Sequence, residues 1–392
     1  MRLLLAASLT LAPALTLPAA DWPTFLGPTR DGVSAEKGVI TPWPKDGLKK
    51  VWECELGVGF APPVTAGGAL FHADRFGDNI RLTARDAATG KFRWKYEYPT
   101  EYEDRYGYEP GPRACPVVDG DRVYLYGPDG VLCCLDAATG NARWKVETRA
   151  KYFFHQNFFG VGSVPVIDGD LLIVPVGGSV KNVRPVDFRQ VRPNGSAIVA
   201  FDKTTGAVKY AAGDELASYA SPTIATLGGK KVGLYFARGG LLGFDPPTGK
   251  TLFHYKWRAK SEESVNASNP VVVGDRVLLT ECYGLGAALL DLQDGTPKEG
   301  WTEGGRRPLA DVPLEHAGPR GRVRVRQQRA AHRGRRHPLY RAGDRRREVA
   351  AEAHPAVQPD ASRRAPDQPV GVRHARAAEG EPRAGGGDGA LP

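Results

Sequence analysis

Cysteine is scarce in this sequence. Its 392 residues hold five, Cys54, Cys115, Cys133, Cys134 and Cys282, an odd number with no metal-ligand spacing. Neither a disulfide framework nor a cysteine-based metal site is written here. Most of these residues sit in apolar strand-like runs, where a buried free thiol is the expected state. Beyond Leu17 no apolar run is long enough to cross a bilayer. Charge of one sign is also missing from most of the chain. Met1–Gly304 carries 34 Lys or Arg against 34 Asp or Glu. The whole net charge of +9 falls in Gly305–Pro392, where 19 Arg and no Lys stand against 10 acidic residues. The basicity therefore says nothing about nucleic-acid binding by the body of the chain. The same last segment has no Phe, Trp or Ile and a single aromatic, Tyr340, so it lacks the material for a packed core.

What is present begins with Arg2, an apolar run from Leu3 to Leu17, and small residues at Ala19 and Ala20. This is the layout of a cleavable secretory signal over residues 1–20. The expectation is an exported protein, periplasmic or extracellular, whose mature chain starts near Asp21 and has no transmembrane span. Lipid attachment needs a cysteine at the cleavage point, and the first is Cys54, which disfavours a lipoprotein. Residues 21–48 read as an N-terminal extension, 49–303 as the repeat-bearing body and 304–392 as a tail.

The body repeats itself. DAATGKFRW begins at Asp86, DAATGNARW at Asp136, DKTTGAVKY at Asp202 and DPPTGKTLF at Asp245. The register is constant: an Asp, a Thr-Gly with glycines at Gly90, Gly140, Gly206 and Gly249, and an aromatic at Trp94, Trp144, Tyr210 and Phe253. A second element, typified by CPVVDGDRVYLY at Cys115, precedes each copy and occurs a fifth time as NPVVVGDRVLL at Asn269, so five units can be counted. Within the second unit PVV, RVYLY, VLCCLD and ARWKV are short runs rich in β-branched and aromatic residues, separated by the turn signals Asp119-Gly120, Asp129-Gly130 and Gly140. Each unit therefore reads as four antiparallel strands. Such a sheet cannot bury both faces alone, so the units must stack radially as the blades of an all-β propeller.

The stretch ARDAATGKFRW from Ala84 to Trp94 resembles the docking motif of propellers built from pyrroloquinoline quinone (PQQ) repeats, and DWPTFLGPTRDGVS from Asp21 resembles the opening of their exported bacterial members. The resemblance implies that the Asp, Gly and aromatic positions are structural joints between blades. It also implies that an intact relative has about seven blades. KKVWECEL, Lys49 to Leu56, then reads as the fourth strand of the last blade, with Trp52 in the docking position and its partner strands missing. Five blades without closure would leave two bare ends, a liability for aggregation.

After Trp301 the pattern stops. One reading of the tail is a disordered Arg-rich extension. The preferred one is a segment read out of frame, because GC-rich codons read off frame yield an excess of Arg, Ala, Gly and Pro. Under one permitted codon set Val372–Pro382, shifted by one nucleotide, reads YGTLALLKAN, which resembles the third strand of a final blade.

Candidate chemistry lies on the loops that enter each innermost strand, since equivalent positions converge on one face of a propeller near its channel. These are Phe60, Arg113, Gly162 with Ser163, Tyr219 with Ser221, and Asn266 with Asn269; Arg113, Tyr219 and Asn266 have the groups to hold a carboxylate or a polar planar ligand. His155, inside KYFFHQNFFG, is the titratable candidate. His72 and His254 lie within strand-like runs and are given no functional weight. PQQ-dependent alcohol dehydrogenases carry a disulfide between adjacent cysteines, but Cys133 and Cys134 lie inside one strand, whose alternation sends them to opposite faces. No motif for the calcium or the quinone platform of those enzymes is present. No catalytic residue, metal or cofactor is therefore assigned. The expected function is a non-catalytic exported module that binds protein or polysaccharide, similar to the propeller subunit of the outer-membrane protein assembly machinery. The alternative is a quinoprotein oxidoreductase using PQQ with Ca²⁺. Nucleic-acid binding by the tail is not expected.

Overall fold

Twenty strands form five sheets of identical topology in the computed structural model of the chain. The structure describes residues 20–38, 42–155, 159–181, 190–261 and 264–303, together with two short paired strands, Val325–Gln327 and Val349–Ala351. All of these belong to one unit, Met1–Ala353; a second unit, His354–Pro392, holds none of them. The expected signal segment and most of the tail lie outside the described residues. No helix among those described is long and apolar enough to cross a membrane.

Sheet 1 comprises β1 (Val64–Ala66), β2 (Ala69–Phe76), β3 (Asn79–Asp86) and β4 (Phe92–Pro99), and sheet 2 comprises β5 (Val117–Asp119), β6 (Arg122–Tyr126), β7 (Val131–Asp136) and β8 (Ala142–Glu147). A short helix, α1 (Thr148–Tyr152), follows. Sheet 3 is β9 (Val166–Asp168), β10 (Leu171–Pro175), β11 (Ile198–Asp202) and β12 (Val208–Ala212). Sheet 4 is β13 (Thr223–Leu227), β14 (Lys230–Phe236), β15 (Gly240–Phe244) and β16 (Thr251–Lys256), and sheet 5 is β17 (Val271–Val273), β18 (Arg276–Glu281), β19 (Gly286–Asp291) and β20 (Lys298–Glu303). Every sheet is an antiparallel meander in sequence order, the four-stranded blade that the turn signals predict.

The Asp-Thr-Gly turns have one local design. Asp136 Oδ1 accepts hydrogen bonds from the Ala138 and Thr139 amides at 3.1 and 2.9 Å and from Thr139 Oγ1 at 2.9 Å. Asp86 repeats this with Thr89, Asp202 with Thr204 and Thr205, and Asp245 with the Thr248 hydroxyl. A short acceptor that satisfies its own turn is what an Asp supplies at such a position. Ahead of each turn the third and fourth strands slip by one residue, between Ala84 and Arg85 in sheet 1 and between Cys134 and Leu135 in sheet 2.

The joint between blades uses the same turn. The Trp94 indole N–H donates to the Ala137 carbonyl at 3.0 Å, and a Cβ at Gly140 would lie 2.5 Å from the Trp94 ring. Trp52 docks in the same way on Ala87 and Gly90, Trp144 on Lys203 and Gly206, and Tyr210 through its hydroxyl on Pro246 and Gly249. Gly140 is thus required twice, by its φ of 75° and by the ring above it. Phe253 sits differently: its ring packs on Gly243 of its own sheet, and no atom approaches within 4 Å of the Cβ position of Gly295 in the fifth turn. Residues 49–56 around Trp52 form no ladder.

The core runs between sheets. One buried cluster joins sheets 1, 2 and 3, a second joins 3 to 4, and a third joins 4 to 5; none joins 5 to 1, and the ring is not closed. Alternation assigns the faces. In sheet 2, Tyr124, Cys134 and Trp144 are in register and face sheet 3, so Val123, Leu125, Cys133 and Leu135, all fully buried, face sheet 1. In sheet 5 the corresponding inward residues are Val277, Leu279, Ala288 and Leu290. Sheet 1 breaks the pattern. Its Phe71, Ala84 and Trp94 face sheet 2, while the opposite face presents the register pairs Leu70–Arg85, His72–Thr83 and Asp74–Arg81. Of the two ends expected to be bare, the one at sheet 1 is polar. The one at sheet 5 is apolar and half-exposed, with Leu278, Leu289 and Trp301 in register.

Candidate functional site

The loops entering β5, β9, β13 and β17 meet, and the segment before β1 joins them. Pro112 O accepts hydrogen bonds from the Phe60 and Ala61 amides at 2.8 and 3.0 Å, and Asn266 O accepts from the Tyr219 amide at 3.0 Å. Val164 N donates to Ser221 Oγ at 2.9 Å, and Ser221 N donates to Asn269 Oδ1 at 2.7 Å. Each loop is therefore tied to the next across the blade boundary.

The candidate side chains take part in this belt. Arg113 donates from Nε to the Phe159 carbonyl at 2.7 Å and from Nη2 to Asp104 Oδ2 at 2.7 Å. The Asp104 carboxylate is fully buried and also accepts from the Tyr106 and Tyr108 amides. Tyr219 accepts at its hydroxyl from the Phe159 amide at 2.7 Å, and burial pushes its pKa well above the usual phenol range. Arg113 and Tyr219 thus grip the two ends of residue 159. Gly162 lies between them, since a Cβ there would come within 2.9 Å of the Tyr219 ring. Ser163 donates to the Ser218 carbonyl at 3.0 Å. Asn266 donates from Nδ2 to the carbonyls of Ala237 and Trp257 at 2.8 and 3.1 Å.

His155 follows α1, half-buried; burial and the charge of Arg149 lower its pKa. Among the described residues it shares no hydrogen bond, ion pair or ring contact with Arg113, Ser163, Tyr219 or Asn266.

What remains open on this face is aromatic. The Arg113 guanidinium lies 4.8 Å from the Phe60 ring centroid and 5.5 Å from that of Phe159. Tyr106, Tyr108 and Tyr219 pack around Phe159 with centroids 5.6–5.8 Å apart. Phe60, Tyr106 and Tyr108 keep 55%, 48% and 53% of their surface exposed. Sequence reasoning reached Phe60, Arg113 and Tyr219 by blade equivalence. It missed Asp104, Tyr106, Tyr108 and Phe159, which lie in loops without a repeated position; the signal available was the aromatic density of EYEDRYGYEP.

A quinone cofactor with its calcium needs a cluster of carboxylate and amide donors. Among the described residues no group of three His, Cys, Asp or Glu is placed to hold a metal ion, and the nearest carboxylate, Asp104, is spent on Arg113 and two amides. Cys133 and Cys134 are buried free thiols, both pushed up to about 11 by burial. These residues do not fit the group.

A solved structure shares the fold. The chain is 17% identical to quinohemoprotein alcohol dehydrogenase from Comamonas testosteroni, covering 76% of this chain and 51% of that one at a TM-score of 0.51. It spans about half the length of that enzyme. BamB from Moraxella catarrhalis is 17% identical, with 62% of this chain and 69% of that one covered and a TM-score of 0.37. No curated protein matches the sequence. The family described as outer membrane protein assembly factor BamB, defined by PQQ-type repeats, matches residues 37–188 and 182–312. With all five of its described blades inside that match, the chain belongs to this PQQ-repeat propeller family.

Proposed function

We propose that this chain is an exported, non-catalytic binding module that docks a protein partner on the loop face around Arg113. One observation carries the reading. The polar groups that converge there are consumed in tying loop to loop, and what faces outward is Phe60, Tyr106 and Tyr108 around a stacked arginine. Exposed aromatics flanking a held Arg are the composition of protein-binding hot spots, where truncating one anchor costs about 2 kcal/mol or more. The match to an assembly-factor family agrees with this reading, and the apolar segment ahead of Ala20 supports export.

A photo-crosslinking amino acid in place of Tyr108, with a second at Val208 on β12 as control, tests it in the secreting cell. A protein adduct of one discrete mass from position 108 and none from 208 is expected. Equal labelling at both, or an adduct that is polysaccharide, overturns the choice of partner. Dye reduction with alcohols or sugars after reconstitution with PQQ and Ca²⁺ would overturn the non-catalytic reading.

A further inference from the structure

The outward face of sheet 1 holds a second site, apart from the loop belt. Residues 52–56 cross this face and roof a cavity of about 290 Å³, at the small end of ligand clefts. Trp52, Leu56, Pro63 and Leu70 give it apolar walls, and the floor is the polar row set out above. That row is not demanded by blade packing, because the same face of sheets 2 to 5 is apolar.

Part of the floor is spent internally. Arg81 donates to both oxygens of Asp74, at 2.8 and 2.6 Å, and the Gly57 amide donates to Asp74 Oδ2 at 2.7 Å. Two neighbours are not. His72 lies beside the Ala61 backbone, and burial disfavours its charged form. A ring nitrogen of a neutral imidazole is either a donor or an acceptor. The Nδ1 of His72 is buried with no hydrogen-bond partner, an uncompensated cost that a ligand hydroxyl would remove. Its register partner Thr83 has a hydroxyl with no partner among the described residues. The carboxylates of Glu53, Glu55 and Asp74 offset Arg81 and Arg85 around the cavity, so nothing there favours an anion.

We infer that this cavity is a subsite for a neutral carbohydrate, whose hydroxyl hydrogen-bonds His72 Nδ1 and meets Thr83 while its apolar ring face lies on the wall made by Trp52, Leu56 and Leu70. A sugar suits these groups because each hydroxyl both donates and accepts, and because it carries no charge to desolvate.

The test titrates the full chain with methyl glucoside, N-acetylglucosamine and cellobiose, followed by calorimetry and indole fluorescence. Saturable binding of at least one, with Kd near about 1 mM, is expected. His72→Phe should weaken it about tenfold at an unchanged thermal midpoint, whereas His72→Gln, which keeps a hydrogen-bonding group, should retain it. Inorganic phosphate should not compete. Absence of saturable binding by all three sugars, binding unaltered in His72→Phe, or displacement by phosphate overturns the assignment. Crosslinking from position 108 should be the same in His72→Phe, which separates the fate of this site from that of the loop face.

Discussion

Asp86, Asp136 and Asp202 hold the three repeat turns whose acids are most perturbed. Hydrogen bonds from Arg93, Arg143 and Lys209 lead, helped by the turn's Thr and amide donors, and hold each carboxyl at about 2. The unfolded carboxyl sits near about 3.9. A depressed folded pKa contributes stability that is present above the unfolded value and is lost as pH falls toward the folded one. Acid should therefore loosen the blades between about pH 4 and pH 2. Asp136→Asn should flatten that part of the profile, as read by circular dichroism at successive pH values. Gly140→Ala probes the same turn from the backbone side. It forces a side chain into positive φ and into the Trp94 ring, and should cost about 1–3 kcal/mol in urea unfolding. At this scale the sequence was readable wherever a residue recurred, as these turns did. His72 was not: a lone histidine in a strand carries no mark of which face it occupies, and its meaning appears only when the other four sheets show what that face normally bears.

Each blade is an element whose stability depends on the plate it lends to the next. Trp94 is buried, in contact with Phe71 at 5.8 Å between ring centroids, and donates across the boundary. Trp94→Ala should cost about 3–5 kcal/mol in denaturant unfolding. Phe253→Ala should cost less, because that ring covers its own sheet and no neighbouring glycine. The four copies with the aromatic eight residues beyond the Asp were legible. The fifth was not recognised as a copy, although DLQDGTPKEGW supplies it: Asp291 Oδ1 accepts from the Gln293 amide, β19 and β20 slip between Leu289 and Leu290 as in every other sheet, and Trp301 pairs with Leu289. Its turn is longer, so the aromatic falls ten positions after the Asp, and a fixed-spacing search passes over it. The loop residues Asp104 and Phe159 escaped for a related reason: nothing recurs there, and their roles depend on chain brought together from different blades.

Across the whole described array cohesion is uneven. Sheets 1 to 3 share a single buried cluster, whereas sheet 5 is held by one face and its turn glycine, Gly295, carries no ring from sheet 4. Regions with fewer buried neighbours open at lower free energy. Amide exchange by mass spectrometry should therefore show β17–β20 exchanging before β5–β11; equal protection of all five sheets would contradict this ordering. The joints have a consequence of another kind. The indoles at 52, 94 and 144 donate to a main-chain carbonyl, always that of the residue after the repeat Asp, and rest on a glycine. No side chain specific to one neighbour is addressed, so the coupling is generic and the blades it links are interchangeable parts. Excising Ala87–Asp136 would deliver Ala137 and Gly140 to the indole of Trp52 in place of Ala87 and Gly90, and the shortened array would meet itself with the same bond.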